Sequence, residues 1–301
     1  MNASLETLVA EELATPVDPR AASMAAAIAA QYPQAARAVL FYGSCLREKN
    51  LDGLMLDFYL IVSDYRAAYG AGWRGAWLAW ANRAIPPNVF PFEWDGMAAK
   101  YAVLSEADFA RLCGSEADNV SVWARFAQPS RLVWAADDAA RERVVAAVMQ
   151  AAPTLLALAI PAADAGADVV DLWRTGFAAT YKAELRAERT DRSGSIVDAD
   201  PARYRQIGEA AVEALDSRFR GNDGKEGNAR TWRSLQRRGK WLSVIRIAKA
   251  SFTFAGGIDY LAWKINRHAG TKIAITPWQR RHPLLAAVTL LPRLLRSGAV
   301  R

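Results

Sequence analysis

The sequence predicts an α+β fold: a mixed β-sheet flanked by helices, then a mainly helical region, then an amphipathic helix at the C-terminus. Three observations lead there. Strand-like apolar runs and helical periodicity alternate between residues 38 and 112 in the order strand, strand, helix, strand, strand, helix. After Trp134 the periodicity turns mainly helical. The 301 residues are 52% hydrophobic and 23% charged, an ordinary globular composition that can bury the core of one large domain or two modest ones.

Ala38 to Tyr42 reads as the first strand. Leu54 to Val62 (LMLDFYLIV) is a near-continuous apolar run with β-branched and aromatic members, the pattern of a strand covered on both faces. Residues 64–83 start with an Asp that can cap a helix and carry Ala/Trp periodicity, so a helix is predicted up to the Ile85-Pro86-Pro87 break. Its tryptophans at 73, 77 and 80 stand at i, i+4, i+7, which predicts a stripe facing the core rather than a ligand cage. Val89 to Trp94 and Lys100 to Leu104 read as two more strands. Ser105 is placed to cap a helix through Leu112.

Residues 138–160 and 165–190 are helix candidates. The uncharged run from Val144 to Ala163 has the length of a membrane span, but Pro153, Pro161 and its many alanines favour a pair of soluble helices. Residues 216–228 (DSRFRGNDGKEGN) read as a flexible linker or insertion. The domains expected are therefore 1–135 around the sheet, 136–276 mainly helical with a basic block, and 277–301 as a basic amphipathic helix.

Charge is distributed unevenly. From Arg230 to Arg301 there are fifteen Lys/Arg and one acid, Asp259, leaving 38 − 15 = 23 basic and 31 − 1 = 30 acidic residues elsewhere. A tail near +14 on a body near −7 points to an anionic partner: nucleotide phosphates, nucleic acid or acidic lipid. Two cysteines, Cys45 and Cys113, and two histidines give neither a disulfide framework nor a His-rich metal site, and they suggest a reducing compartment. The acidic N-terminal stretch has neither the basic start of a secretory signal nor the arginines of a transit peptide, so a bacterial cytoplasmic setting is expected.

The chemistry concentrates between Phe41 and Val62. A strand ends in Gly43-Ser44, and thirteen residues after Ser44 comes Asp57 inside an apolar strand. Alternation puts Met55, Asp57, Tyr59 and Ile61 on one face. A buried carboxylate needs a cation or hydrogen bonds to compensate it. Mg²⁺ is one such cation, bound by carboxylates together with substrate phosphates. A Gly-Ser turn can cradle those phosphates with backbone N–H groups. The bland alternative is a strand-end aspartate bonded to a loop amide.

This arrangement resembles the DNA-polymerase-β-like nucleotidyltransferases, whose signature is Gly-Ser followed by an Asp-x-Asp/Glu strand; here Tyr59 stands in the second acidic position. More of the chain is similar to the mitochondrial-type phosphatidate cytidylyltransferases, the translocator-assembly-and-maintenance family. The matching pieces are YGSC (42–45), LMLDFYLIV (54–62), PPNVFPF (86–92), KYAVLS (100–105), TYKAELRAE (180–188) and GKWLSVIRIAKASFTFAGGIDYLAWKINRH (239–268), with a basic amphipathic end. Two features depart from it: Ala255 stands where an acid before the Gly-Gly is expected, and 216–228 looks like an insertion.

The resemblance implies a nucleotidyltransferase domain joined to a mainly helical, winged-helix-like domain. It implies CTP and phosphatidic acid as substrates, CDP-diacylglycerol and pyrophosphate as products, and Mg²⁺ as cofactor. On that pattern Asp57 is a metal ligand, and a second carboxylate must replace the one missing at Tyr59. Glu184 is the first candidate for it, and Asp52 the nearer one in sequence. Gly43 and Ser44 would bind the β and γ phosphates. Lys240, Arg246 and Lys249 would bind the nucleotide, with 246 and 249 on one helix face. Arg186, Lys264 and Arg267 would meet the lipid phosphate. The alternatives are a solvated basic face for the block and an ion pair with Glu184 or Glu188 for Arg186. Lys100 and Tyr101 can face the site or pack elsewhere. Cys45 reads as a small filler.

Pro277 to Arg301 carries five arginines and no acid, with Leu284, Val288, Leu291 and Leu295 on one face. Broken by Pro283 and Pro292, it suits an interfacial helix on anionic lipid at the cytoplasmic side of an inner membrane, or a helix docked on the body. Two other functions stay open: a nucleotidyltransferase acting on RNA, a protein or a small molecule, and a non-catalytic nucleotide- or lipid-binding protein. No nucleic-acid partner is expected, because the tail's leucine face is unlike the aromatic platforms that bind single strands.

Overall fold

β1 (Ala36–Tyr42) and β2 (Met55–Val62) pair antiparallel at the centre of a five-stranded mixed sheet, in the computed structural model of the chain. The structure describes residues 3–47, 51–183, 196–221, 232, 234–236, 239, 242, 245, 249 and 276–278. The strand order is β3-β4-β2-β1-β5, with β3 (Asn88–Trp94), β4 (Met97–Ser105) and β5 (Ser130–Ala135). β2 and β4 run parallel, and the other neighbours are antiparallel. The α+β class and the mixed sheet are as the sequence predicts.

The alternation in β2 separates two cores. Tyr59 and Ile61 join Ala38, Leu40, Ala102 and Leu104 on one face of the sheet. Leu56, Phe58, Leu60 and Val62 join Val39, Phe41, Tyr101 and Val103 on the other. Both faces are covered, which is why β2 is apolar nearly throughout. The first face lies under α1 (Leu5–Ala14), where Leu5, Leu8, Val9 and Leu13 are buried at helical spacing below a Ser4 cap that accepts from Thr7 N–H. The second lies under α2 (Pro19–Ala30), capped by Asp18 and started by Pro19. These helices and β5 add to the elements read from the sequence.

Between β2 and β3 the predicted single helix is two. α3 (Tyr65–Tyr69) is capped by Asp64, which accepts from Arg66 N–H at 2.8 Å and Ala67 N–H at 3.0 Å. Gly70, at φ +80°, stops it. α4 (Trp73–Ala84) then restarts and packs against α3 through Gly75, where a Cβ would lie 2.3 Å from the Tyr69 carbonyl oxygen. Buried Asn82 fastens α4 to the sheet, donating to the Val103 carbonyl at 2.9 Å and accepting from Asn88 N–H.

The tryptophan stripe departs from the expectation. Trp73 is 84% exposed, Trp77 50% and Trp80 59%. Helical spacing marks a face but not which way it points. Here Gly75, Ala79, Ala81 and Asn82 are the buried residues, because only small side chains fit where α4 lies close to its neighbours.

α5 (Glu106–Cys113) begins at the predicted Ser105 cap, which accepts from Asp108 N–H at 3.2 Å. The short α6 (Trp123–Phe126) leads into β5. α7 (Asp138–Val148), α8 (Ala151–Ala159), α9 (Val169–Ala183) and α10 (Pro201–Gly221) continue the core of the first face, where Leu155, Trp173, Phe177 and Tyr204 are buried. Asp138–Ala162 is long and apolar enough to cross a membrane by length and composition, and 56% of its most apolar stretch is buried within the protein. Residues 216–221, read as the start of a flexible linker, continue α10; 222–228 lie outside the described residues.

Candidate functional site

Strand register builds a polar row across the first face. Tyr42 of β1 stands opposite Asp57 of β2, Asp57 beside Lys100 of β4, and Tyr42 opposite Ser130 of β5. The next row, Ala102, Tyr59, Leu40 and Leu132, is apolar and belongs to or packs against the core. Asp57 therefore sits where the apolar core gives way to a polar sheet end. That is the structural answer to a carboxylate in an otherwise apolar strand.

Lys100 Nζ lies 2.9 Å from Asp57 Oδ1, with the two side chains 27% and 23% exposed. That oxygen is itself buried and accepts no aligned hydrogen bond. The other oxygen faces Gly43, where a Cβ would lie 3.4 Å from Oδ2. Gly43 adopts φ +95°, which turns the chain off β1 and into a short 3₁₀ helix from Ser44 to Arg47. Ser44 is exposed at that turn.

A cleft of about 180 Å³ opens beside the row, lined among others by Tyr42, Lys100, Ser121, Arg125 and Lys249. Arg125, from α6, hydrogen-bonds the Ser121 carbonyl and the Tyr42 side chain. Lys249 Nζ donates to the Pro87 carbonyl at 2.8 Å and to that of Ile85. Burial pushes the Tyr42 phenol well above its ordinary pKa; the Asp57 and Tyr59 side chains add to this, and Arg125 opposes it. The phenol thus keeps its proton while its oxygen accepts from Arg125. Among the described residues, three cations line the cleft and the one carboxylate beside it, Asp57, is paired with Lys100, which leaves the cleft wall positively charged.

The structure brings together Gly43, Asp57 and Lys249 with Lys100, which pairs with Asp57; Tyr101 points to the other face and bonds Tyr32. Asp52 is a loop residue paired with Arg20 at 2.7 Å. Tyr59 is 2% exposed and packs on Tyr42 and Phe126, so an aromatic core residue fills the position of the second acid. Cys45 is buried, its thiol 3.5 Å from the Met55 carbonyl, as a filler would be. Glu184, Arg186, Lys240, Arg246, Lys264, Arg267 and the tail beyond Trp278 lie outside the described residues. Gly239, at the start of the basic block, packs on the carbonyl of Ala183, immediately before Glu184.

Among the described residues no group of three or more His, Cys, Asp or Glu could hold a metal. Asp57, whose buried Oδ1 is ion-paired with Lys100 but accepts no aligned hydrogen bond, offers a single carboxylate. That fits a Mg²⁺ ion completed by substrate phosphates and water, not a cage of protein ligands alone.

Arg125 and Ser121 were not legible in the sequence. They lie more than sixty residues after Asp57 in a stretch without motif. Tyr42 was within the quoted YGSC, where only register could assign it to the cleft. Compared with protein-family models and with curated proteins, the chain gives no match.

Proposed function

We propose that the chain is a nucleotidyltransferase of the phosphatidate cytidylyltransferase type, forming CDP-diacylglycerol and pyrophosphate from CTP and phosphatidic acid. The observation that carries this reading is Asp57 held against Gly43 beside a cleft lined by Lys100, Arg125 and Lys249. In this reaction an oxygen of the lipid phosphate forms a bond to the α-phosphorus of CTP. The bond from that phosphorus to the bridging oxygen breaks, and its electrons leave with pyrophosphate. Such a transfer needs positioning and charge neutralisation rather than a covalent nucleophile.

In this reading Lys100, Arg125 and Lys249 bind and orient the phosphates, and Gly43 and Ser44 bring backbone N–H groups close to them. Tyr42, which accepts from Arg125, would offer its phenol proton to a phosphate oxygen at the cleft wall. Asp57 would hold Mg²⁺, with Glu184 as the candidate second ligand; the ion would neutralise charge on the phosphates. Arg186, Lys264 and Arg267 would engage the lipid phosphate, and Lys240 and Arg246 the nucleotide. Residues 1–135 then form the nucleotidyltransferase domain, 136–276 the winged-helix-like domain, and 277–301 a helix on the anionic face of an inner membrane.

One observation favours a second reading. The core packing of Tyr59 removes one of the two usual acids, as a non-catalytic nucleotide- or lipid-binding protein would allow. The test is incubation with Mg²⁺, labelled CTP and phosphatidic acid in detergent micelles, with Asp57→Ala alongside. Label that enters the organic phase, and is lost in the variant, supports the transferase. CTP binding without transfer to any phosphorylated acceptor supports the second reading.

A further inference from the structure

We propose that the exposed face of α4 is a lipid-docking surface that seats in the interfacial layer of an anionic bilayer. The face consists of Trp73, Ala76, Trp77, Trp80, Arg83 and Ala84, all exposed, with Arg74 at its flank. Its indoles are 84%, 50% and 59% exposed, and those of Trp77 and Trp80 stack with centroids 5.0 Å apart. Indoles in water on one helix face need a partner that takes both their apolar rings and their N–H groups. The headgroup layer of a bilayer does so, which is why tryptophan concentrates there.

Charge selects the kind of bilayer. From Tyr65 to Phe92 the chain carries Arg66, Arg74 and Arg83 and no acid. Cations flanking an aromatic face are attracted to anionic headgroups, while the rings enter the boundary between headgroup and acyl chain.

The opposite side of α4 is fixed. Gly75 lies against the carbonyls of Tyr69 and Gly70, and Asn82 is bonded to β3 and β4. The indoles are thus displayed by an anchored helix that needs no refolding to dock. α4 also ends beside the cleft: Ile85 and Pro87, just past it, accept from Lys249, and Pro87 lines the cleft wall. A bilayer on this face would hold the cleft close to the membrane surface. The proposal is independent of which acceptor the cleft serves.

The test uses the full chain with vesicles of phosphatidylcholine and phosphatidylglycerol whose acyl chains are brominated, without CTP or phosphatidic acid. Bromine quenches indoles that enter the acyl boundary. The comparison is Trp73→Ser/Trp77→Ser/Trp80→Ser, positions whose exposure lets the fold survive, checked by unchanged far-ultraviolet circular dichroism. The expected result is strong quenching of the wild-type protein, most of it lost in the variant, and vesicle partitioning weaker by about tenfold or more. Arg74→Ser/Arg83→Ser is expected to weaken partitioning on anionic vesicles only. If the wild-type protein is not quenched, or the triple variant is quenched as strongly, the proposal is overturned, and the face belongs to a protein partner or to the chain's own tail.

Discussion

Replacing Asp57 by asparagine tests how charge is balanced in the cleft. In the native protein Lys100 is held 2.9 Å from the carboxylate, so its charge is partly neutralised, and the carboxylate itself repels incoming phosphates. Asp57→Asn keeps the shape, removes that repulsion and takes away the charge that Lys100 faces. A unit charge acting over about 4 Å is worth ~1 kcal/mol in bulk water and ~4 kcal/mol in the dielectric near a protein surface. The pair is about a quarter exposed, so the gain should fall between these, at ~1.5–3 kcal/mol, or roughly tenfold to a hundredfold in affinity. The assay is calorimetric titration with inorganic tripolyphosphate, with and without Mg²⁺. Without the metal, Asp57→Asn should bind tighter than the native protein. With Mg²⁺ the native protein should improve and the variant should not, while any cytidylyl transfer falls by about a hundredfold or more. Metal-free binding that is equal or weaker in the variant would refute the reasoning, because it would mean that Asp57 does not face the anion.

Three further outcomes are expected. Glu12 bridges Arg203 through both oxygens, tying α1 to α10, and the side chains are 15% and 11% exposed. Glu12→Ala, which strands that cation, should cost about 3 kcal/mol or more by urea denaturation, with Glu12→Ala/Arg203→Met recovering much of it. Tyr32, Tyr42, Tyr65, Tyr69 and Tyr101 all have phenol pKa values raised chiefly by burial. Their folded forms hold protons that the unfolded chain releases, so this stability is complete below about pH 10 and is lost as pH rises beyond it. Absorbance at the phenolate band should show these five titrating at higher pH in the folded protein than in the urea-unfolded chain. Gly75→Ala would drive a methyl group into the carbonyls of Tyr69 and Gly70, and should lower stability by about 2 kcal/mol or more in the same urea assay while leaving tripolyphosphate binding within about twofold.

Local chemistry explains what was legible beforehand. Asp64 and Ser105 cap the helices they were expected to cap, because a cap is decided by a side chain and the next few amides. β2 was visible because a strand buried on both faces must be apolar on both. β5 was not, because Ser130–Ala135 has short and mixed apolar content, and its place at the sheet edge comes from pairing with β1 some ninety residues earlier. The break in the predicted 64–83 helix turned on a single positive-φ glycine, Gly70.

The site divides in the same way. By itself the sequence determined that a Gly-Ser turn precedes a strand bearing one carboxylate, that an acid is absent at Tyr59, and that a basic block follows; each depends on residue type and near spacing. Only the tertiary structure decided that Lys100 meets Asp57, that Arg125 and Lys249 share its cleft, and that the three tryptophans of α4 face outward. Strand register and the packing of small residues beneath a helix set those placements. Both arise from contacts between distant parts of the chain, which periodicity along one segment does not encode.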